Sequence, residues 1–227
     1  AQHNSYHWYV NEFYIRGFGL DPLKALLIDG SRIGLAPGET LGSVWPDARV
    51  DLSLRARPAA NGLERTQKRV LEAVDQWCQD YEQRVRALGG IGFFLGGIGP
   101  DGHIGFNIRG SDHNSTTRLL ATNYETQAAA APDLGGMEVS RARLVITIGL
   151  GTLACNPACA AIILAAGAAK AAVVADAVQD QPHIAVPASA LHKLPNARFY
   201  LTEGAAALRA RQFVRLQRAA EVPDQEV

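Results

Sequence analysis

Cysteine is scarce in this chain. Three residues in 227, Cys78, Cys155 and Cys159, are too few and too unevenly placed to staple a fold. No Cys/His pairing has the spacing of zinc ligands. That usage suits a reducing compartment, so a cytoplasmic, metal-free protein is expected; Cys155 and Cys159 read as small buried residues. Net charge is absent too: 22 Lys and Arg balance 22 Asp and Glu, and the sequence pI is about 7.2. Without a basic excess to neutralise phosphates in bulk, nucleic acid is not an expected partner. No run approaches the roughly 20 apolar residues that cross a bilayer. The nearest, Ala158 to Ala169, is interrupted by Gly167 and reads as a core strand plus turn. The opening AQHNSYHWYV has neither the basic start nor the apolar centre of a signal peptide, and it lacks an initiator Met.

What is present is an ordinary globular composition, 48% hydrophobic and 19% charged, long enough for one domain with a substantial core. Asn4 and Ser5 cap a first amphipathic helix carrying Tyr6, Tyr9, Val10, Phe13 and Tyr14. Ala25 to Ile28 reads as a short buried strand, and the irregular stretch from Gly30 to Asn61 as a solvated excursion. The clearest element is a helix over Gly62–Leu88. Val70, Val74, Trp77, Tyr81, Val85 and Leu88 share one face, Asn61 caps the start and Gly89-Gly90 stop the end. Its charged residues, Glu64 four ahead of Lys68 among them, read as solvated surface. Strands follow at Ile91–Leu95, Leu144–Ile148, Ala161–Leu164 and Arg198–Leu201. Helical segments lie around Tyr124–Ala131, Ala168–Val178 and Ala205–Leu216. Continuous apolar strands alternating with helices predict an α/β fold, a mainly parallel sheet flanked by helices on both faces.

In such sheets ligands collect at the carboxyl ends of strands. Three strands here are followed closely by glycine, at Gly96-Gly97, at Gly149-Leu150-Gly151-Thr152 and at Gly167, and these turns are expected to line one edge. Glycine lets backbone N–H groups approach an oxyanion, so Gly149, Gly151 and Thr152 are candidate phosphate-binding positions. Lys170 falls in the first turn of a helix, against the macrodipole, where a bound anion would account for it. The strongest signal is GGIGPDGHIGFN, Gly96 to Asn107. Asp101 and His103, two apart and fenced by glycine, form an acid and imidazole suited to proton transfer beside a carbonyl, to sugar-ring opening or to activating water. Gly97, Gly99, Gly102 and Asn107 are candidate substrate-lining residues.

GGIGPDGHIGFN resembles the signature of the glucosamine-6-phosphate deaminase/isomerase family, which stands with the 6-phosphogluconolactonases in one sugar-phosphate superfamily. SYHWYVNEFY (Ser5–Tyr14), STTR (Ser115–Arg118), VITIGLGTL (Val145–Leu153) and ILAAGAAKA (Ile163–Ala171) resemble family segments in family order. The likeness runs from the first helix to about Gln212, and IGFN favours the deaminases over the lactonases. The resemblance implies a Rossmann-like fold and conversion of glucosamine 6-phosphate and water to fructose 6-phosphate and ammonia. It implies acid/base work for Asp101, ring opening for His103, phosphate binding for Lys170, and no cofactor. The expected partner is a small-molecule sugar phosphate, with oligomeric state left open.

Two departures from the family pattern qualify this. Where the family continues with a glutamate that partners the histidine, this chain reads Phe106-Asn107-Ile108-Arg109. The nearest substitutes are Asp112 and His113, with Asp112 equally a turn residue. The family's N-terminal strands, with a phosphate loop and a further acid, have no counterpart before Ala1. The expectation is therefore a single deaminase/isomerase-like domain over 1–227 that is a fragment of a longer polypeptide, partnered by the missing N-terminal segment. Two other functions stay open: a non-catalytic sugar-phosphate-binding or regulatory module, and a 6-phosphogluconolactonase-like hydrolase.

Overall fold

A computed structural model of the chain describes residues 5–208. Its helices are α1 (Tyr6–Tyr9), α2 (Leu41–Val44), α3 (Gly62–Ala87), α4 (Tyr124–Leu134), α5 (Met137–Arg141), α6 (Leu150–Ala154) and α7 (Ala171–Gln179). Its strands are β1 (Phe93–Gly97), β2 (Arg118–Ala121), β3 (Leu144–Thr147), β4 (Ala160–Ala165) and β5 (Arg198–Leu201). The described residues divide into two compact units, one of residues 5–84 with 117–147, the other of residues 85–116 with 148–208.

The first unit is built on α3. Asn61 caps it, its side chain accepting from Glu64 N at 2.9 Å, and Gly89 and Gly90 follow its end at φ 90° and 80°, where only glycine is unstrained. The buried stripe differs from the expected one. Val70, Val74 and Val85 are buried as predicted, but Leu71 and Cys78 join them while Leu88 is 75% exposed; Trp77 and Tyr81 stack at 5.1 Å. What Leu71 packs on was not visible in a helical wheel. The stretch from Gly30 to Asn61 is no solvated excursion: Ile33, Val44, Trp45 and Leu54 form one core with Val70, Leu71, Val74 and Cys78. Polar ties reinforce it, Gln67 Nε2 donating to Val44 O at 2.9 Å and Lys68 Nζ to Leu54 O and Arg57 O at 2.9 and 3.0 Å. Glu64 likewise takes Arg57, not Lys68. A thiol in this setting is held protonated: burial pushes Cys78 up to about 11.

Two other expectations in this unit fail. Ala25–Ile28 joins no strand ladder among the described residues; the Leu26 carbonyl accepts from the Tyr81 hydroxyl at 3.3 Å instead. β3 is a strand as expected, but it pairs antiparallel with β2, Arg118 opposite Thr147 and Ala121 opposite Leu144, in a sheet of its own. Ser5 caps the first helix through Trp8 N, whereas Asn4 lies outside the described residues. Beyond Tyr9 the helix widens to π geometry over Val10–Arg16, with Tyr6, Tyr9, Phe13 and Tyr14 all exposed.

The second unit holds the parallel sheet, in order β1-β4-β5. Leu95 lies opposite Ile162, and Leu164 opposite Tyr200. Strand alternation sends Phe94, Ala161, Ile163, Phe199 and Leu201 into a core with Leu150, Leu153, Val174, Ala177 and Leu191. The opposite alternation leaves Phe93, Leu95, Leu164 and Tyr200 exposed. The helix expected over Ala168–Val178 begins as a 3-10 turn at Ala168–Lys170 and continues as α7. That expected from Ala205 is a 3-10 turn, Gly204–Ala206, which does not continue as helix through Ala207 and Leu208; residues 209–216 of the expected helix lie outside the described residues. Among the described residues no helix is long and apolar enough to cross a membrane.

Candidate active site

The turn after β1 is closed by its own backbone. Gly99 N donates to His103 O at 2.9 Å, Gly102 N to Gly99 O at 3.1 Å, and Ala188 N to Gly102 O at 2.8 Å. Gly102 sits at φ 80°, a left-handed conformation that a side chain would strain. Gly99 is required for space: a Cβ there would lie 2.0 to 2.2 Å from three ring atoms of His103. The imidazole thus lies close against bare backbone, and the Phe106 ring stacks with it at 6.3 Å between centroids.

Inside this turn the Asp101 side chain is fully buried and that of His103 is 14% exposed. His103 Nδ1 and Asp101 Oδ1 lie 2.5 Å apart, the ring N–H donating to the carboxylate. Asp101 Oδ2 accepts from the Arg109 backbone N–H at 2.9 Å. A carboxylate fixed at both oxygens sets the imidazole tautomer: with Nδ1 protonated, a neutral ring carries its lone pair on Nε2. The partner that orients the ring is therefore Asp101. Asp112 spends Oδ1 on Asn114 N, a turn of its own. His113 lies against His183 and Lys193, and burial first, then the Lys193 charge, lowers its basicity.

Lys170 comes to the same turn. Its ammonium donates to Ile98 O at 2.9 Å. Burial lowers its pKa, and the Asp101 charge works in the other direction. Asp101, His103 and Lys170, up to 69 positions apart in sequence by their numbering, thus converge on residues 98–103. The candidate phosphate turn is more self-contained than its glycines suggested. Gly149 N donates to Thr152 Oγ1 at 3.1 Å, Gly151 N to Ser115 O at 2.8 Å, and Thr152 is fully buried. Both glycines make room for the Asn114–Thr116 chain: a Cβ on Gly149 would lie 1.9 Å from Ser115 O, and one on Gly151 2.6 Å from Asn114 O. Gly97 closes β1 and is exposed, and a Cβ added there would make only ordinary contact with the Leu164 carbonyl. Asn107 is buried completely, its amide donating to Ile104 O and Ile148 O. Ser115, quoted only as part of STTR, was not singled out in the sequence; its role depends on main-chain partners that spacing does not reveal. Among the described residues no group of three or more His, Cys, Asp or Glu side chains is arranged to hold a metal ion.

A parallel three-stranded sheet with helices, carrying its polar groups on a turn at a strand's carboxyl end, is a Rossmann-like α/β arrangement. A monomeric glucosamine-6-phosphate deaminase, described as a missing link of the NagB superfamily, aligns with a TM-score of 0.55 at 32% identity, covering 60% of this chain and 55% of its own. Glucosamine-6-phosphate deaminase 2 of Xenopus tropicalis is 36% identical over 128 residues, 56% of this chain and 46% of that protein. Human glucosamine-6-phosphate deaminase 1 is 35% identical over 128 residues, 56% of this chain and 44% of that protein. No protein-family model matches the sequence. The chain spans about half the length of the curated relatives it matches. Over that matched portion it is homologous to the glucosamine-6-phosphate deaminases.

Proposed function

We propose that the chain is an amino-sugar-phosphate deaminase, turning glucosamine 6-phosphate and water into fructose 6-phosphate and ammonia by acid/base catalysis. The observation that carries this reading is the buried Asp101–His103 contact of 2.5 Å on the turn where Lys170 also lands, in a chain homologous to proteins of that name.

Opening the sugar ring needs a proton removed from the anomeric hydroxyl and one returned to the ring oxygen. An imidazole held by a carboxylate through Nδ1 can do both from Nε2, with no net proton consumed. Asp101 stabilises the imidazolium that forms in between. Buried and spent on two donors, it acts through His103, and that placement offsets the lack of a carboxylate at Ile108. Lys170 supplies the positive charge for the substrate phosphate; breaking its contact with Ile98 O costs little when an anion replaces a carbonyl. Gly149, Gly151 and Thr152 then shape the phosphate pocket rather than line it with open amides, and Gly97, Gly99 and Gly102 keep the turn narrow. The substrate's amine and carbonyl provide the electron sink, so no cofactor is called for.

The test is ammonium release from glucosamine 6-phosphate by the purified chain, beside Asp101→Asn and Lys170→Ala. Turnover in the parent, a loss of about 100-fold or more in Asp101→Asn, and a raised KM in Lys170→Ala are expected. A parent that binds the sugar phosphate without releasing ammonium would replace the enzyme reading with that of a binding module.

A further inference from the structure

We infer that Asn107 and Ser115 form an internal bracket that positions the His103 turn against the Gly149 turn, so that Asn107 is a positioning residue rather than a substrate contact. Asn107 is fully buried. Its amide Nδ2 donates to Ile104 O at 3.0 Å and to Ile148 O at 2.8 Å, and its backbone N–H also donates to Ile104 O at 3.1 Å. The first carbonyl belongs to the residue after His103; the second immediately precedes Gly149. One side chain therefore clasps both turns.

Ser115 closes the other half. Its hydroxyl donates to Asn107 Oδ1 at 3.5 Å and accepts from Leu150 N at 3.4 Å, while its carbonyl accepts from Gly151 N at 2.8 Å. The glycines at 149 and 151 admit this strand of chain, since a Cβ on either would collide with it. An amide is the side chain that fits: two donors face two carbonyls and one acceptor faces a hydroxyl, which neither Asp nor Leu reproduces. The bracket ties down the segment from Ile104 to Asn107 directly after the imidazole. Releasing it allows the ring to shift relative to the second turn, and displacements of about 1 Å cost catalysis up to about 100-fold.

The catalytic half of this inference rests on the deaminase reading, so the test has a readout that does not need turnover. Asn107→Asp and Ser115→Ala are compared with the parent by nitrogen NMR of the His103 ring across pH, without substrate, and by kcat and KM for ammonium release. The expected result is a changed His103 tautomer balance, read from the ring-nitrogen shifts, in both variants. With it, kcat falls about 10- to 100-fold in Asn107→Asp and less in Ser115→Ala, at a KM within about threefold of the parent. Folded variants whose His103 signals and kcat coincide with the parent overturn the bracket. If Asn107→Asp does not fold, Ser115→Ala decides alone by the same signals. If the parent releases no ammonium, the deaminase reading falls, and the His103 spectra still decide whether the bracket positions the ring.

Discussion

His103 owes its setting to a missing methyl group. Gly99 has an unstrained backbone, so alanine there meets no conformational penalty, only the imidazole within 2.2 Å. Gly99→Ala should therefore push the ring off Asp101 and lower kcat/KM about 100-fold, with the fold intact by circular dichroism. Gly92→Ala, where nothing lies within 4 Å, is the control expected to match the parent. Lys170 offers a second measurement at this scale. Burial holds its pKa below the ordinary lysine value of 10.5, against the pull of Asp101. The charged form is thus disfavoured in the folded state. That deficit is fully present below the depressed folded value and vanishes as pH rises to 10.5, because the unfolded chain binds the extra proton in between. Compared with Lys170→Gln by urea unfolding, the parent should gain relative stability as pH rises from the depressed folded value toward 10.5; a difference that moves the other way would contradict the burial. The dyad and the lysine were legible in the sequence because glycine, acid, imidazole and ammonium are chemically conspicuous. The bracket was not: Asn107 and Ser115 act on Ile148 and Leu150, 41 and 35 positions away, and an amide bonded to a distant carbonyl leaves no local pattern.

Among elements, α3 does most to organise the first unit, and it does so with charged as well as apolar side chains. Arg55, from a 3-10 turn at Leu52–Arg55, meets Asp75 of the helix through two bonds, Nε to Oδ2 at 2.8 Å and Nη2 to Oδ1 at 2.6 Å. Both side chains are about a third exposed. Forked geometry favours the pair and solvent screening discounts it, so a double-mutant cycle of Arg55→Ala and Asp75→Ala should return a coupling of about 0.5 to 1 kcal/mol. A coupling indistinguishable from zero would make the contact a surface ornament. The same comparison explains which elements could be read in advance. β1 and β4 are apolar runs beside glycine, and β5 follows the Pro195-Asn196 turn with residues alternating exposed and half-buried, so their period is local. β2 is four residues, Arg118–Ala121, without alternation; its strand character comes from pairing with β3. Residues 30–61 bury Ile33, Val44, Trp45 and Leu54 at spacings that fit neither helix nor strand. Only the surface of α3 that receives them gives them a register. Ala25–Ile28 fails for the converse reason, an apolar run that pairs with no strand among the described residues.

At the scale of the molecule, two properties act together: a formal net charge of zero with pI about 7.2, and a concentration of exposed apolar side chains near the start of the described chain. Tyr6 is 73% exposed, Phe18 71% and Leu23 93%, and the rings of Tyr9, Phe13, Tyr14 and Phe18 touch one another in series instead of entering a core. Exposed aromatic surface attracts like surface, and a molecule without net charge has no long-range repulsion to oppose it. Light scattering should accordingly show the strongest self-association near pH 7, weakening on either side as charge of one sign accumulates. Phe18→Ser with Leu23→Ser should reduce that association while leaving the unfolding midpoint unchanged, because side chains already in water contribute little to folding. Truncating Leu153, which is 1% exposed in the core of the parallel sheet, to alanine should do the reverse, costing about 2 to 5 kcal/mol of stability without relieving association. Association that persists undiminished in the double serine variant would clear residues 18 and 23 and shift suspicion to the exposed face of the sheet, where Phe93 and Leu164 are 59% and 52% exposed.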